Sequence, residues 1–528
     1  MKPNIVFILS DDQGAWAMHC AGNPDIVTPN IDALAENGVR FTNFFCASPV
    51  CSPARASIVT GKIPSCHGIL DWLAGGNINS MDYPHMQESY LSRYGKRKED
   101  GGDGAIDFLA GQTTYVELLN KNGYNCAHSG KWHLGDNVNA KPGFNSGYFT
   151  IGSGGCGYFS ADVHEGGKSE IHGGYITDLI TDKALEYMRG MYRDPEGRPF
   201  YASVHFTAPH SPWDANNHKP EHLEIYSGSS FPFTPLKKIH PRQIISAPIG
   251  DDDARRREHL TGYYASITAM DECVGRIVSD LKENGKYDDT IIIFTSDNGM
   301  NLGQHGIWGK GNGTYPQNMY DSSVKVPFIA SCPKLFCNGR SAEGTSSSGR
   351  LFDGLACQYD IFHTLLELAG AAYVREAKQP GRSLAPILTG NVTEAPAELP
   401  YGEASGGAVC IYDEYGQVRM IRTNKYKYIH YYMHENSAEV SLPDKTNCEL
   451  FDLAADPEEE TNVINFAAYA GAAEELRGRM AAFFDEYGTD RFDGKKCFVS
   501  GRGQMDYADK AGAFNPEYTY YYPEKNMR

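Results

Sequence analysis

A chain of 528 residues is too long for one simple core and has room for a large unit and a smaller one. Hydrophobic residues at 41% and charged residues at 22% exclude the disordered and fibrous classes. A formal net charge of -18 argues against nucleic acid, because a phosphate-binding surface needs a basic face to release counterions.

From the start of the chain, Ile5–Leu9 reads as a first strand and is too short for a signal-peptide core; no apolar run approaches a membrane-spanning helix, so no membrane partner is expected. The runs Asn30–Asn37 and Val39–Phe45, a helix from about Pro53, and Thr114–Asn122 continue an alternation of strand-like and helical patterns, which implies a parallel sheet. Tyr124–His128 and Tyr201–Phe206 read as further strands. The longest predicted helix runs from about Arg256 to Glu283, with Leu260, Tyr264, Ile267, Met270, Val274, Ile277 and Leu281 as one apolar stripe and Asn284-Gly285 as its stop. Thr290–Thr295 then forms a strand that delivers Ser296-Asp297-Asn298-Gly299 at its carboxyl end, the edge where open α/β sheets bind ligands. A Pro- and Gly-punctuated segment from Gln379 to Pro400 marks a boundary, giving residues 1–390 as the larger unit and 400–528 as the smaller. Within the latter, Gln417–Tyr432 alternates like adjacent strands and Ala472–Tyr487 has helical spacing. The 13 cysteines are odd in number, scattered and without zinc-like pairs. They are expected to be reduced core thiols of a cytoplasmic protein; if a leader precedes Met1 in the precursor, a secreted or periplasmic location is expected instead.

Three sets of residues have chemical potential. Asp11-Asp12 follows the first strand and Asp297-Asn298 follows a later one; four hard oxygen donors at one sheet edge suit Ca²⁺ or Mg²⁺, though either pair alone also reads as a solvated turn. In Cys51-Ser52-Pro53-Ala54-Arg55, Pro53 suits a first helical turn, so Cys51 lies at or just before a helix N-terminus that favours an anion; a buried structural cysteine is the plain alternative. Lys131, His133, His210 and Lys310 also follow strands and supply anion-binding and proton-transfer groups, unless they are solvated lysines and packed histidines. A metal, a tetrahedral anion and a leaving-group acid are what phosphoryl or sulfuryl transfer requires.

Together, Asn4–Asp12, Cys51–Gly61, Gly130–Gly135 (GKWHLG), Ser296–Gly299 and Gly303–Lys310 resemble the type I sulfatase family in order and spacing. Val326–Ala330, Asp360–Ala369, Pro380–Gly390 and Cys448–Pro457 extend the resemblance over most of the chain. It implies an alkaline-phosphatase-like α/β fold: a mixed sheet flanked by helices, with a smaller C-terminal α+β subdomain of antiparallel sheet plus helix that contributes to the substrate pocket. It also implies a sulfate-ester hydrolase whose Cys51 is oxidised by a maturation enzyme to formylglycine, with Ala54 standing where the recognition motif usually has Ser. The hydrated aldehyde offers two hydroxyls, one to attack sulfur and one to expel the sulfate.

By the same resemblance, Asp11, Asp12, Cys51, Asp297 and Asn298 hold a divalent cation, Ca²⁺ before Mg²⁺. Arg55 and Lys131 position the hydrate, Lys131, His210 and Lys310 bind the substrate, His210 protonates the leaving group, and His133 deprotonates the second hydroxyl. Gln13 and His305 lie close in sequence without an assigned role. The substrate expected is a terminal sulfate on a carbohydrate, or an aryl sulfate, with aromatic insertions at Asp71-Trp72 and Tyr83–Tyr94 available to stack on a ring. A phosphonate monoester hydrolase or phosphodiesterase of the same superfamily is the alternative.

Overall fold

Strand β1 (Asn4–Ser10) is apolar from Ile5 to Leu9, as a strand covered on both faces requires. Ile5, Phe7 and Leu9 enter one core, while Val6 and Ile8 enter another on the opposite side. The computed structural model describes residues 2–78, 104–152, 154–244, 248–336, 349–390, 407–432, 447–496 and 503–508.

In chain order the further strands of the main sheet are β2 (Gly38–Phe41), β3 (Asn125–Gly130), β4 (Tyr148–Ile151), β5 (Ala161–Glu165), β6 (Lys168–His172), β7 (Phe200–His205), β8 (Thr290–Ser296), β9 (Phe328–Ser331) and β10 (Arg350–Phe352). They form one sheet of order β10-β2-β9-β8-β1-β7-β3-β4-β5-β6. The central strands β8, β1, β7, β3 and β4 are parallel. The sheet is nevertheless mixed: β9 runs antiparallel to both β8 and β2, and β4, β5 and β6 form an antiparallel meander. The mixed sheet is the one the resemblance implies; the parallel sheet that the alternation implies holds for the five central strands only, because short strands such as Phe328–Ser331 carry no sequence mark of their direction.

Helices α1 (Pro29–Glu36), α4 (Ile176–Tyr192) and α5 (Asp253–Glu283) cover one face. Helices α2 (Cys51–Thr60), α3 (Tyr115–Lys121) and α6 (Ile361–Leu368) cover the other. The predicted stripe of α5 is completely buried from Leu260 to Leu281. The helix starts at Asp253 because the side chain of Asp252 accepts from the N–H of Arg255 at 2.8 Å. Asn30–Asn37 is mostly helix α1, entered at Pro29, and Val39–Phe45 is divided between β2 and a two-residue strand at Phe44–Phe45.

A second, four-stranded antiparallel sheet follows: β11 (Val409–Asp413), β12 (Val418–Arg422), β13 (Tyr426–Tyr431) and β14 (Cys448–Asp452), with α7 (Ala470–Tyr487) packed on it. Its Met420, Ile429 and Leu450, and Leu476, Met480 and Phe483 of α7, share one continuous core with α2 and α6. Residues 391–406, which contain the end of the expected boundary segment, lie outside the described residues, as does the Tyr83–Tyr94 insertion. Among the described residues no cysteine forms a disulfide. Among the described residues no helix is long and apolar enough to cross a membrane.

Candidate active site

The parallel register brings Ser10 of β1 level with Ser296 of β8, so the residues that follow the two strands emerge side by side. Asp12 turns the chain with a φ of 65°, a left-handed conformation that Asp tolerates better than most residues. Its backbone N–H donates to Asp297 Oδ1 at 3.1 Å, and the hydroxyl of Tyr263 donates to its carbonyl at 2.9 Å. Gln358 locks the other strand end, donating to the carbonyls of Ser296 at 2.9 Å and Asp297 at 2.6 Å. Its own Oε1 accepts from the N–H of Ala47, on the approach to Cys51, at 3.0 Å.

Cys51 is the first residue of α2, as its place before Pro53 predicts. Ligand atoms of Asp11, Asp12, Cys51 and Asp297 all lie within 4.8 Å of one another, and all four residues are buried. Cys51 Sγ is 3.5 Å from Asp11 Oδ1 and 3.7 Å from Asp12 Oδ1. Three cations neutralise this cluster. Arg55, one turn along α2, donates Nε to Asp297 Oδ2 at 2.9 Å and Nη1 to the Lys131 carbonyl at 2.8 Å. Lys131 donates to Asp11 Oδ2 at 2.6 Å, and Lys310 reaches Asp12 Oδ1 at 2.7 Å and Cys51 Sγ at 2.9 Å.

The electrostatics follow from burial. Desolvation and the neighbouring Asp297 push Asp11 up to about 8 against the pull of Lys131. Burial also opposes ionisation of Asp12 and Asp297, but Lys310 holds Asp12 below the ordinary carboxylate range, and Arg55 with Lys131 does so for Asp297. Burial drives the Cys51 thiol far upward even though Lys131 and Lys310 favour its thiolate, so an unmodified Cys51 is a poor nucleophile.

Asn298 donates Nδ2 to Asp12 Oδ1 at 2.8 Å, while its Oδ1 is buried without a hydrogen-bond partner. Three carboxylates and one unclaimed amide oxygen form a hard-oxygen set that suits Ca²⁺ or Mg²⁺. The residues present therefore match the metal implied by the resemblance.

Two histidines flank the cluster. His133 is buried, has a φ of 57°, and its Nε2 lies 3.0 Å from the carbonyl of Leu73, which fixes the proton there. Its Nδ1 is left without a partner, and burial with the charge of Lys131 keeps the ring neutral. His210 turns Nδ1 toward the carbonyl of Ser211 at 2.7 Å and Nε2 toward Asp12 Oδ2 at 3.7 Å. The side chains of His210 and Lys310 are 25% and 14% exposed, against 0–3% for those of Asp11, Asp12, Arg55, Lys131 and Asp297. They mark the open side of the site.

The candidate metal, nucleophile, cation and histidine residues singled out from sequence thus meet at one edge, and of the two unassigned residues Gln13 lies there too, its N–H donating to Ser296 Oγ at 2.9 Å, while His305 does not. His305 stacks on Tyr320 with centroids 3.9 Å apart and lines a separate cavity of about 700 Å³. Gln13 supports the loop by donating to the carbonyl of Ala17 at 2.9 Å. Sequence reading missed Gln358 and Tyr263, which act only across the fold and carry no local signal.

Comparison with known proteins places these features in a family. The model described as Sulfatase matches residues 3–371, and that described as N-sulphoglucosamine sulphohydrolase, C-terminal, matches residues 303–486. The chain is 27% identical to an N-acetylglucosamine-6-O-sulfatase of Bacteroides thetaiotaomicron, over 94% of this chain and 89% of that one. It is 26% identical to an ulvan-active sulfatase of Formosa agariphila, over 94% and 84%. Among solved structures, one holding D-glucosamine-2-N,6-O-disulfate as its substrate aligns with a TM-score of 0.70 at 24% identity, covering 93% of this chain and 99% of that one. The phosphonate monoester hydrolase of Agrobacterium radiobacter aligns with a TM-score of 0.63 at 20% identity, covering 92% and 96%. These two structures share the fold found here.

Proposed function

The chain belongs to the sulfatase family, which hydrolyses sulfate esters, and on that premise we propose that it removes a terminal sulfate from a carbohydrate, with Cys51 oxidised to formylglycine as its nucleophile. The observation that carries this reading is the convergence of Asp11, Asp12, Asp297 and Cys51 at the N-terminus of α2, with Lys310 2.9 Å from Sγ. An amino sugar is the favoured carrier of the sulfate, supported by the N-acetylglucosamine-6-O-sulfatase relative and by the disulfated glucosamine held in the similar structure.

In this account Asp11, Asp12, Asp297 and Asn298, with the modified side chain of Cys51, hold a divalent cation, Ca²⁺ before Mg²⁺. When bound, such an ion supplies positive charge that offsets charge growing on the sulfate oxygens. Arg55 keeps Asp297 oriented and, with Lys131, sets the position of residue 51. The hydrated aldehyde at residue 51 would supply the attacking hydroxyl, whose proton passes to a carboxylate of the cluster around it; the bond from sulfur to the sugar oxygen breaks, and that oxygen takes the Nε2 proton of His210, which donates in its imidazolium form because its Nδ1–H is committed to the Ser211 carbonyl. Lys131 and Lys310 bind the sulfate oxygens. His133 then accepts a proton from the second hydroxyl at Nδ1, the bond from carbon to the sulfated oxygen breaks, sulfate leaves and the aldehyde returns. Residues 400–528 are read as a subdomain that completes the pocket, and a cytoplasmic location stays the expectation from the cysteines.

The test is turnover of the modified, metal-loaded enzyme on 6-sulfated N-acetylglucosamine, nitrophenyl sulfate, a phosphate diester and a phosphonate monoester. Preference for the sulfates by about 10²-fold in kcat/KM, near 2.7 kcal/mol of transition-state discrimination, supports the reading. Preference for the phosphonate would instead favour the hydrolase whose fold this chain shares.

A further inference from the structure

The turn between β11 and β12 reaches from the small sheet into the catalytic edge. Tyr412, near the end of β11, donates its N–H to the carbonyl of Ala47 at 3.3 Å, and Tyr415 in the turn donates its N–H to that of Leu70 at 2.9 Å. Asp413 packs against Gly311, the residue after Lys310: a Cβ there would meet Asp413 Oδ2 at 2.6 Å and Pro49 Cγ at 2.5 Å. The turn therefore touches both the approach to Cys51 and the loop that carries Lys310.

At the centre of this junction lies Glu414, 1% exposed. Its Oε1 accepts from Asn312 Nδ2 at 2.9 Å and its Oε2 from Gln317 Nε2 at 3.0 Å. These two amides stand at either end of the loop after Lys310. The loop is also closed on itself, since Asn318 Nδ2 donates to the carbonyls of Lys310 at 3.2 Å and Gly311 at 3.1 Å. Among the described residues no lysine or arginine lies within ion-pair distance of Glu414, while Asp71 and Asp413 are its acidic neighbours. Burying a carboxylate in such company is unfavourable. A carboxylate is nonetheless the group that accepts from two amides at once; glutamine has one acceptor and would face the other amide donor with its own NH₂. Asp71 completes the arrangement: its Oδ1 accepts from the N–H of Trp72 at 2.7 Å, and burial beside Glu414 keeps its carboxyl protonated.

We infer that Glu414 is a positioning residue that clamps the loop 311–318 between the two units, so that the Lys310 ammonium is held at Cys51 and the scissile group. The inference rests on the role of Lys310 given above. It makes the small sheet a working part of the catalytic edge.

A double-mutant cycle on the metal-loaded, formylglycine-containing enzyme tests this, with nitrophenyl sulfate as substrate and melting temperature as the folding control. Glu414→Gln should lower kcat/KM on the order of 10-fold, the scale set by one frustrated buried hydrogen bond. Adding Gln317→Glu restores both bonds, because the amide introduced at position 414 then accepts from Asn312 and donates to the carboxylate introduced at position 317; activity should return to within about 3-fold of wild type. Should Glu414→Gln fold poorly, Asn312→Ala removes one clamp bond and should show the same coupling. In a Lys310→Ala background either clamp variant should cost less than about 2-fold, because the group being positioned is gone. Equal losses in both backgrounds would overturn the inference while leaving the role of Lys310 intact. Full activity in Lys310→Ala alone would overturn that role, and the inference with it.

Discussion

Removing the imidazole of His210 separates an acid from a packing residue. The structure puts Nε2 on the open side of the site, 3.7 Å from Asp12 Oδ2, with Nδ1 held by the Ser211 carbonyl. Proton donation by a positioned side chain contributes typically about 10²–10⁴-fold. Lys310 is a second donor on the same side, so His210→Ala should fall near the lower end, a loss on the order of 10²-fold in kcat on a sugar sulfate, or about 2.7 kcal/mol. Nitrophenolate departs with little help, so the same variant should lose less than about 3-fold on nitrophenyl sulfate. The lost bond to Ser211 should cost about 1 kcal/mol of stability, visible as a small drop in denaturation midpoint. Initial rates of the folded, fully modified variant on both substrates decide the matter. Equal losses on the two would refute the assignment and leave Lys310 as the proton donor.

Three further outcomes follow from other parts of the molecule. Arg55→Ala strands Asp297 without its buried partner, while Asp11 keeps Lys131 at 2.6 Å, and should lower unfolding free energy by about 3–5 kcal/mol in urea titration, whereas a loss under about 1 kcal/mol would show that the pair is dispensable to the fold. Chelation should abolish turnover and lower the melting temperature, and Ca²⁺ at about 100 times its Kd should return about 2.7 kcal/mol; a melting curve indifferent to Ca²⁺ and Mg²⁺ would contradict the metal set. His67 is buried, accepts from the Ile69 N–H at Nδ1 and shares its Nε2 proton with Ser57, and burial lowers it to about 3. The unfolded chain therefore binds the extra proton first, so stability present above about pH 6.5 is lost as pH falls from there toward 3, by about 1.4 kcal/mol per unit. His67→Gln should flatten the slope of denaturation free energy between pH 6 and 5 by about that amount, and an unchanged slope would count against the linkage.

What could be read before folding was local. Asp11-Asp12 and Asp297-Asn298 announce themselves because each follows a strand of β-branched and aromatic residues, and Cys51 because Pro53 marks a helix start. The residues that hold those groups in place were not legible. Arg55 finds Asp297 across 242 positions, Tyr263 reaches Asp12 across 251, and Gln358 reaches Asp297 across 61. Sheet direction was hidden for a related reason: β9 pairs with β8 and β2 through backbone groups that every residue owns. Glu414 is the extreme case, an acid in a turn that reads as solvated surface until the small sheet folds back onto the catalytic edge.

The central claim is that the nucleophile is Cys51 in its oxidised form, and the most direct measurement couples composition to rate. Protein made with graded amounts of a maturation enzyme is analysed by peptide mass spectrometry for the thiol-to-aldehyde conversion at residue 51, and the same samples are assayed for sulfate release. The account predicts turnover proportional to the aldehyde fraction and extrapolating to zero without it, because the buried thiol is held far from its nucleophilic form. Full turnover from protein whose Cys51 is wholly unmodified would contradict it.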